Sequence, residues 1–106
     1  MPREALGEFE QLVMLAVVHL EDEVYGVPIV DEIERRTRRK VSHAAVYVTL
    51  RRLEEKGLLE SWKSDPTAER GGKRKRHYRL RPTGAAALRT TESALARMAR
   101  LTRAKA

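Results

Sequence analysis

From Glu8 to Leu20 the apolar positions Phe9, Leu12, Val13, Ala16 and Leu20 recur at i, i+3, i+4 and i+7, the spacing of one face of a helix. Met14, Val17 and Val18 widen that stripe beyond one face. A helix apolar over so much of its circumference needs cover on two sides, which predicts contact with its own domain and with a partner. Glu21-Asp22-Glu23 marks a turn, and Tyr25-Gly26 leads into a second helix, roughly Val27 to Thr37. Pro28 falls in its first turn, where the missing N–H is tolerated, and Ile29, Val30 and Ile33 point inward. Asp31 and Glu32 lie early and Arg35, Arg36, Arg38 and Arg39 late, the favourable order for the helix dipole, which accounts for these arginines without a ligand.

Lys40-Val41 reads as a short extended segment before Ser42, a good N-cap for a third helix from His43 to about Lys56 that Gly57 stops. Val46, Leu50 and Leu53 form its buried row. On the other side His43, Tyr47 and Arg51 recur at spacing four, flanked by Ala44 and Val48. Leu58 to Lys63 and Arg76 to Arg81 read as two strands of a long hairpin, separated by a Pro-, Gly- and charge-rich stretch from Ser64 to Lys75. Pro82 opens a last helix to about Leu101, on which Leu88, Thr91, Leu95, Met98 and Thr102 alternate at three and four residues, with Ala87, Ala94 and Leu101 beside the seam.

The chain has 106 residues and only five aromatics (Phe9, Tyr25, Tyr47, Trp62 and Tyr78), so one modest core is expected, with a second copy needed to complete it. The absence of cysteine excludes a disulfide, a thiolate metal site and a cysteine nucleophile, and fits a reducing compartment. The longest apolar run, Leu12 to Val18, covers seven residues, against about 20 for a membrane-spanning helix. With no signal-peptide pattern at Met1-Pro2-Arg3-Glu4, a cytoplasmic, non-membrane protein is expected. The net charge of +7 is unevenly placed: residues 1–40 carry −3, residues 41–84 carry +6 and residues 85–106 carry +4. Positive charge therefore starts at the third helix, which suggests a polyanion-facing half.

Three helices, a two-stranded hairpin and a last helix follow the plan of a winged helix-turn-helix, whose third helix enters the major groove while the hairpin follows the backbone. The expected fold is mainly α with a small β-hairpin: a DNA-binding domain over residues 1–82 and a C-terminal dimerisation helix over 83–106. Arg70, Lys73, Arg74, Lys75 and Arg76 surround Gly71-Gly72, where a bare backbone can approach phosphates. Ser42 and His43 stand at a helix N-terminus suited to a phosphate. Tyr47 fits a phosphate or thymine contact, or alternatively a half-buried packing role. Arg51 can read guanine or bind backbone, whereas Arg52, beside the core row, is expected to pair with Glu54 or Glu55.

Catalysis is not expected. His19, His43 and His77 lie in different elements without ligand-spaced partners, Gly71-Gly72 sits between strands rather than before a helix, and Ser42 has no base.

The set Leu6-Gly7-Glu8-Phe9-Glu10, Tyr25-Gly26, Ile33-Glu34-Arg35-Arg36-Thr37, Val46-Tyr47-x-Thr49-Leu50-x-Arg52-Leu53-Glu54-x-Lys56-Gly57-Leu58 and Glu69 to Leu80, ending at Gly84, resembles the PadR family of bacterial transcriptional regulators. The resemblance spans nearly the whole chain and fits the short subgroup with a single C-terminal helix. It implies a dimeric repressor without a cofactor, in which the last helix crosses to the partner's first helix. Met14, Val17, Val18, Leu88, Thr91, Leu95, Met98 and Leu101 are the residues expected at that interface. Arg81 stands where the family usually has a capping Thr, which makes Thr83 a candidate cap one turn later.

Two recognition helices in a dimer imply double-stranded DNA with a pseudo-palindromic operator, half-sites about one turn apart. An RNA-binding or protein-binding winged helix is the alternative. Regulators resembling this one often release DNA when a small aromatic or lipophilic effector binds at or near the dimer interface, though several short members have no known ligand, and the seam here offers little to stack on a ring. Trp62 lies in the hairpin, where packing explains it, and no effector is assigned.

Overall fold

A computed structural model describes residues 6–20, 24–64 and 75–105, with side chains as far as Arg100. Its elements run α1 (Glu8–His19), α2 (Gly26–Thr37), α3 (His43–Glu55), β1 (Leu59–Lys63), β2 (Arg76–Leu80) and α4 (Pro82–Lys105). Order and type match the hydrophobic pattern, and α4 continues past the expected Leu101 to Lys105.

The core is the meeting of three helices with the base of the hairpin. Val13 and Met14 of α1, Ile29 and Val30 of α2, Val46, Leu50 and Leu53 of α3 and Leu59 of β1 are at most 1% exposed. Each such side chain contributes about 1.5–3 kcal/mol on burial. Met14 and Val17 thus belong to the chain's own core, at 0% and 4% exposure, as does Leu88 at 5%. This corrects the expectation that they face a partner: α1 is wrapped by α2, α3, β2 and the start of α4, and its breadth of apolar surface is used within one chain. Of the three α1 residues only Val18 stands out, half exposed.

Buried polar chemistry holds α1 and α2 together. The Glu32 carboxylate is buried and accepts from Arg35 and from Arg36 Nε (2.9 Å), with His19 Nδ1 of α1 at 3.3 Å. Burial opposes its ionisation, but the bonds from Arg35 and Arg36 outweigh this and hold it below the usual carboxylate range. At the other end of α1, Glu10 accepts from the Gly7 N–H (3.0 Å) and from Lys56 Nζ beyond α3 (2.9 Å).

The strands pair antiparallel in the register Leu59 with Leu80, Ser61 with Tyr78 and Trp62 with His77. A bond from Tyr78 N to the Val24 carbonyl (2.9 Å) seats the entry to α2 beside β2. Gly57, at φ +78°, closes α3 in a left-handed turn, with Leu58 N bonding back to Leu53 O at 3.0 Å. Thr83 caps nothing; its hydroxyl donates to the Gly57 carbonyl (2.5 Å), and Arg81 accepts the first helical bond of α4, from Ala85 N (3.0 Å).

Among the described side chains of α4, the buried ones lie in its first turns. A Cβ on Gly84 would lie 2.1 Å from the Leu58 carbonyl oxygen, so glycine is what lets the helix cross the turn after α3. Gly84 and Leu88 are buried, Thr91 is half-buried, and every residue from Glu92 to Arg100 is exposed. The 24 residues of α4 reach about 36 Å, and the radius of gyration is 15.7 Å against about 13 Å for a compact chain of this length. Among the described residues no helix is long and apolar enough to cross a membrane.

Candidate nucleic-acid interface

The start of α3 is held by two side chains. Glu34 Oε2 of α2 accepts from the Val41 N–H (2.9 Å), which sets the turn, and Ser42 Oγ accepts from the Ala45 N–H (3.2 Å), which caps the helix. With Val46, Leu50 and Leu53 locked in the core, the opposite face must point outward. His43, Ala44, Tyr47, Val48 and Arg51 are all exposed there.

Tyr47 is anchored by what lies beneath it. A Cβ on Gly26 would fall 2.2 Å from the Tyr47 hydroxyl oxygen, so the ring crosses the first residue of α2 over a bare backbone. Burial pushes the Tyr78 hydroxyl up from its ordinary range.

The hairpin is tied to the same region by its basic residues. Lys75 Nζ donates to the Tyr25 hydroxyl (3.0 Å) and lies 4.3 Å from that ring's centre. Arg76 Nη1 donates to Ser61 Oγ (2.8 Å), which donates to Glu54 Oε2 on α3 (2.6 Å). Glu54 is therefore engaged by Ser61 rather than by Arg52, whose charge acts on Glu10 of α1.

On the hairpin's other face Trp62 stacks on His77 (centroids 5.7 Å apart, planes at 17°) with the Arg79 guanidinium 5.3 Å above it. These residues and Val17, Val18 and Leu20 line a cleft of about 330 Å³. Arg79 also pairs with Glu60 (3.0 Å), holding that carboxyl below its usual range. The Trp62 ring thus packs on its cross-strand neighbour His77 and leaves 44% of the residue exposed at this cleft.

Three helices, a core-facing row on the third, a capped recognition segment and a basic hairpin behind it are the parts of a winged helix. Residues 14–90, from α1 through the docked start of α4, match the model of the Transcriptional regulator PadR-like family. The chain belongs to that family. It is 38% identical over 98 residues to Transcriptional regulator Rv3488 of Mycobacterium tuberculosis, across 90% of this chain and 87% of that one. Its fold is similar to that of a PadR family transcription regulator from Clostridium difficile (TM-score 0.77, 22% identity, 92% of this chain and 96% of that chain). It is also similar to Bacillus subtilis PadR in complex with operator DNA (TM-score 0.65, 15% identity, 77% of this chain and 46% of that chain).

In this PadR-like regulator the residues singled out from the sequence fall into three groups. Ser42, His43, Ala44, Tyr47, Val48 and Arg51 share the outer side and start of α3; at the loop end of the hairpin Arg76 is linked to α3 through Ser61 and Glu54, and Lys75 bonds Tyr25 at the start of α2. Arg70, Lys73 and Arg74 lie outside the described residues, as does the side chain of Leu101. Leu95 and Met98 are 56% and 64% exposed on the outer part of α4.

Sequence reasoning missed the residues that act through the fold: Gly26 beneath Tyr47, and Glu34 holding the turn before α3. It also explained the α2 arginines by the dipole alone. Arg35 and Arg36 bind Glu32, and Arg39 reaches Glu8 (3.3 Å). Arg38, which closes α2 at φ 59°, and Lys40 make no ion pair among the described residues, and they stand just before α3.

Proposed function

We propose that the chain is a dimeric repressor that places α3 in the major groove of a pseudo-palindromic operator and lays its basic hairpin along the backbone, so that occupancy of a promoter competes with transcription initiation. The observation that carries this is the two-sidedness of α3: Val46, Leu50 and Leu53 fully in the core, and His43, Ala44, Tyr47, Val48 and Arg51 together on the opposite, exposed side. Further support comes from the likeness in fold to Bacillus subtilis PadR, whose structure is a complex with operator DNA.

Phosphate contacts supply most of the affinity in this reading. They come from Ser42 and His43 at the start of α3 and from Arg70, Lys73, Arg74, Lys75 and Arg76, joined by Arg38 and Lys40 before the helix. Base contacts are few and fall to His43, Ala44, Tyr47, Val48 and Arg51. The outer part of α4, with Thr91, Leu95, Met98 and Leu101, and Val18 of α1 meet the second subunit, which sets the two recognition helices for half-sites about one turn apart.

The test is a set of titrations of duplex DNA at several salt concentrations. Lys73→Ala and Arg74→Ala should each weaken binding to all sequences alike and reduce the slope of log K against log salt by about one. Unchanged affinity and slope in both variants overturn the assignment of the hairpin, and a preference for hairpin RNA over duplex DNA overturns the operator reading.

A further inference from the structure

The exposed side of α3 carries fewer hydrogen-bonding groups than the basic charge around it suggests. Ser42 Oγ is engaged as the cap on Ala45 N. Tyr47 turns its hydroxyl end back across Gly26 of α2. Ala44, Val48 and Arg51 follow at i, i+4 and i+7 and form one stripe: a small group, a branched aliphatic group and a cation. Val48, half exposed, is the largest aliphatic group on it.

In the free chain this arrangement gains nothing. A β-branched residue is a weaker helix former than the straight-chain residues that usually cover exposed helix faces, and its methyl groups stay in water. In the major groove one feature of the bases rewards such a group, the C5-methyl of thymine. Over guanine, adenine or cytosine an aliphatic side chain removes water from donors and acceptors and offers them no partner.

We propose that Val48 is a specificity-determining residue that packs on a thymine C5-methyl in each half-site, with the small Ala44 letting the helix settle deep enough for that contact. The inference rests on the operator reading above and adds to it the identity of a base. Arg51, one turn on along the same stripe, then meets the neighbouring base pair or its phosphate.

The experiment uses the full-length protein and the duplex motif it selects from random-sequence DNA. Thymines of the selected half-site are replaced one at a time by deoxyuridine, which removes only the methyl group. One position per half-site should weaken binding by about fourfold, and changing it in both half-sites by somewhat more than tenfold. Val48→Ala should bind the thymine and uracil duplexes alike, whereas Arg51→Ala should keep the methyl effect, a coupling that a general loss of affinity does not produce.

Val48 is half exposed and Ala is the better helix former, so Val48→Ala should not lower the melting temperature, which separates the contact from folding. A selected motif that tolerates every uracil substitution overturns this inference and leaves the operator reading standing. Full methyl sensitivity in Val48→Ala does the same, since another residue then makes the contact. Failure to select any duplex motif overturns both.

Discussion

Helices α3 and α4 both present exposed apolar groups, yet they do so for opposite reasons. In α3 one face is wholly buried by α1, α2 and β1, so the helix is stable in one chain and its other face is free to meet a ligand that comes and goes. In α4 the core ends at Leu88, and every residue from Glu92 to Arg100 is exposed. A helical segment with little tertiary support is marginal in water, so in the proposed dimer the exposed Leu95 is where a second subunit docks on α4. In the proposed function one open face serves recognition and the other assembly.

The largest effect that separates the two is expected at Leu95. Leu95→Glu places a charge in the seam of α4 and should leave monomers or unfolded chain in sedimentation, with DNA affinity lost alongside. An unchanged dimer would remove the distinction between the faces.

Next is the root of α4. Gly84→Ala brings a Cβ against the Leu58 carbonyl, which is backbone and cannot turn away, so the helix must shift; a loss of about 1–3 kcal/mol in thermal or denaturant unfolding is expected. Unaltered stability would mean that α4 is not held at this crossing.

The scaffold under α3 carries its own signature in pH. Because Glu32 has a lower pKa folded than unfolded, its contribution to stability is complete above the unfolded value of about 4.5 and fades as pH falls through the folded value. Glu32→Gln should cost about 1–3 kcal/mol at neutral pH, by leaving Arg35 and Arg36 without their carboxylate, and should flatten the loss of stability in acid. Urea melts from pH 7 down to pH 3 check this; parallel curves for the two proteins would exclude Glu32 as a source of acid sensitivity.

The smallest change is aimed at the recognition face alone. Gly26→Ala should displace the Tyr47 ring and weaken operator binding by about three- to tenfold while altering stability by no more than about 0.5–1 kcal/mol, since only the end of an exposed side chain must move. Combined with Tyr47→Ala it should add nothing further, because the ring it displaces is then gone. Additive losses would place the effect of Gly26 elsewhere.

Periodicity exposed most of this architecture, and its failures have a common cause. The row Val46, Leu50 and Leu53, the Ser42 cap and the Gly57 stop are local signals, and they placed the buried and exposed faces of α3 correctly. Met14 and Val17 show the limit: a broad apolar stripe says that a helix is covered on several sides but not by whom, and of the three residues that widen it only Val18 is left outside the chain's own core. Contacts between distant residues left no local trace. Glu54 lies beside Arg52 in sequence and yet bonds Ser61, the bare surface of Gly26 matters only because Tyr47 crosses it, and Gly84 matters only because Leu58 runs beneath. The Trp62/His77 stack depends on strand register, which the long connection between the strands leaves unspecified in the sequence.

The central claim, that two copies of α3 read duplex DNA as a symmetric pair, is tested most directly by selecting bound fragments from random duplex DNA with the purified full-length protein. The account predicts an inverted repeat whose half-sites are centred about 10 base pairs apart. Recovery of a lone half-site, or of no motif at all, would contradict it.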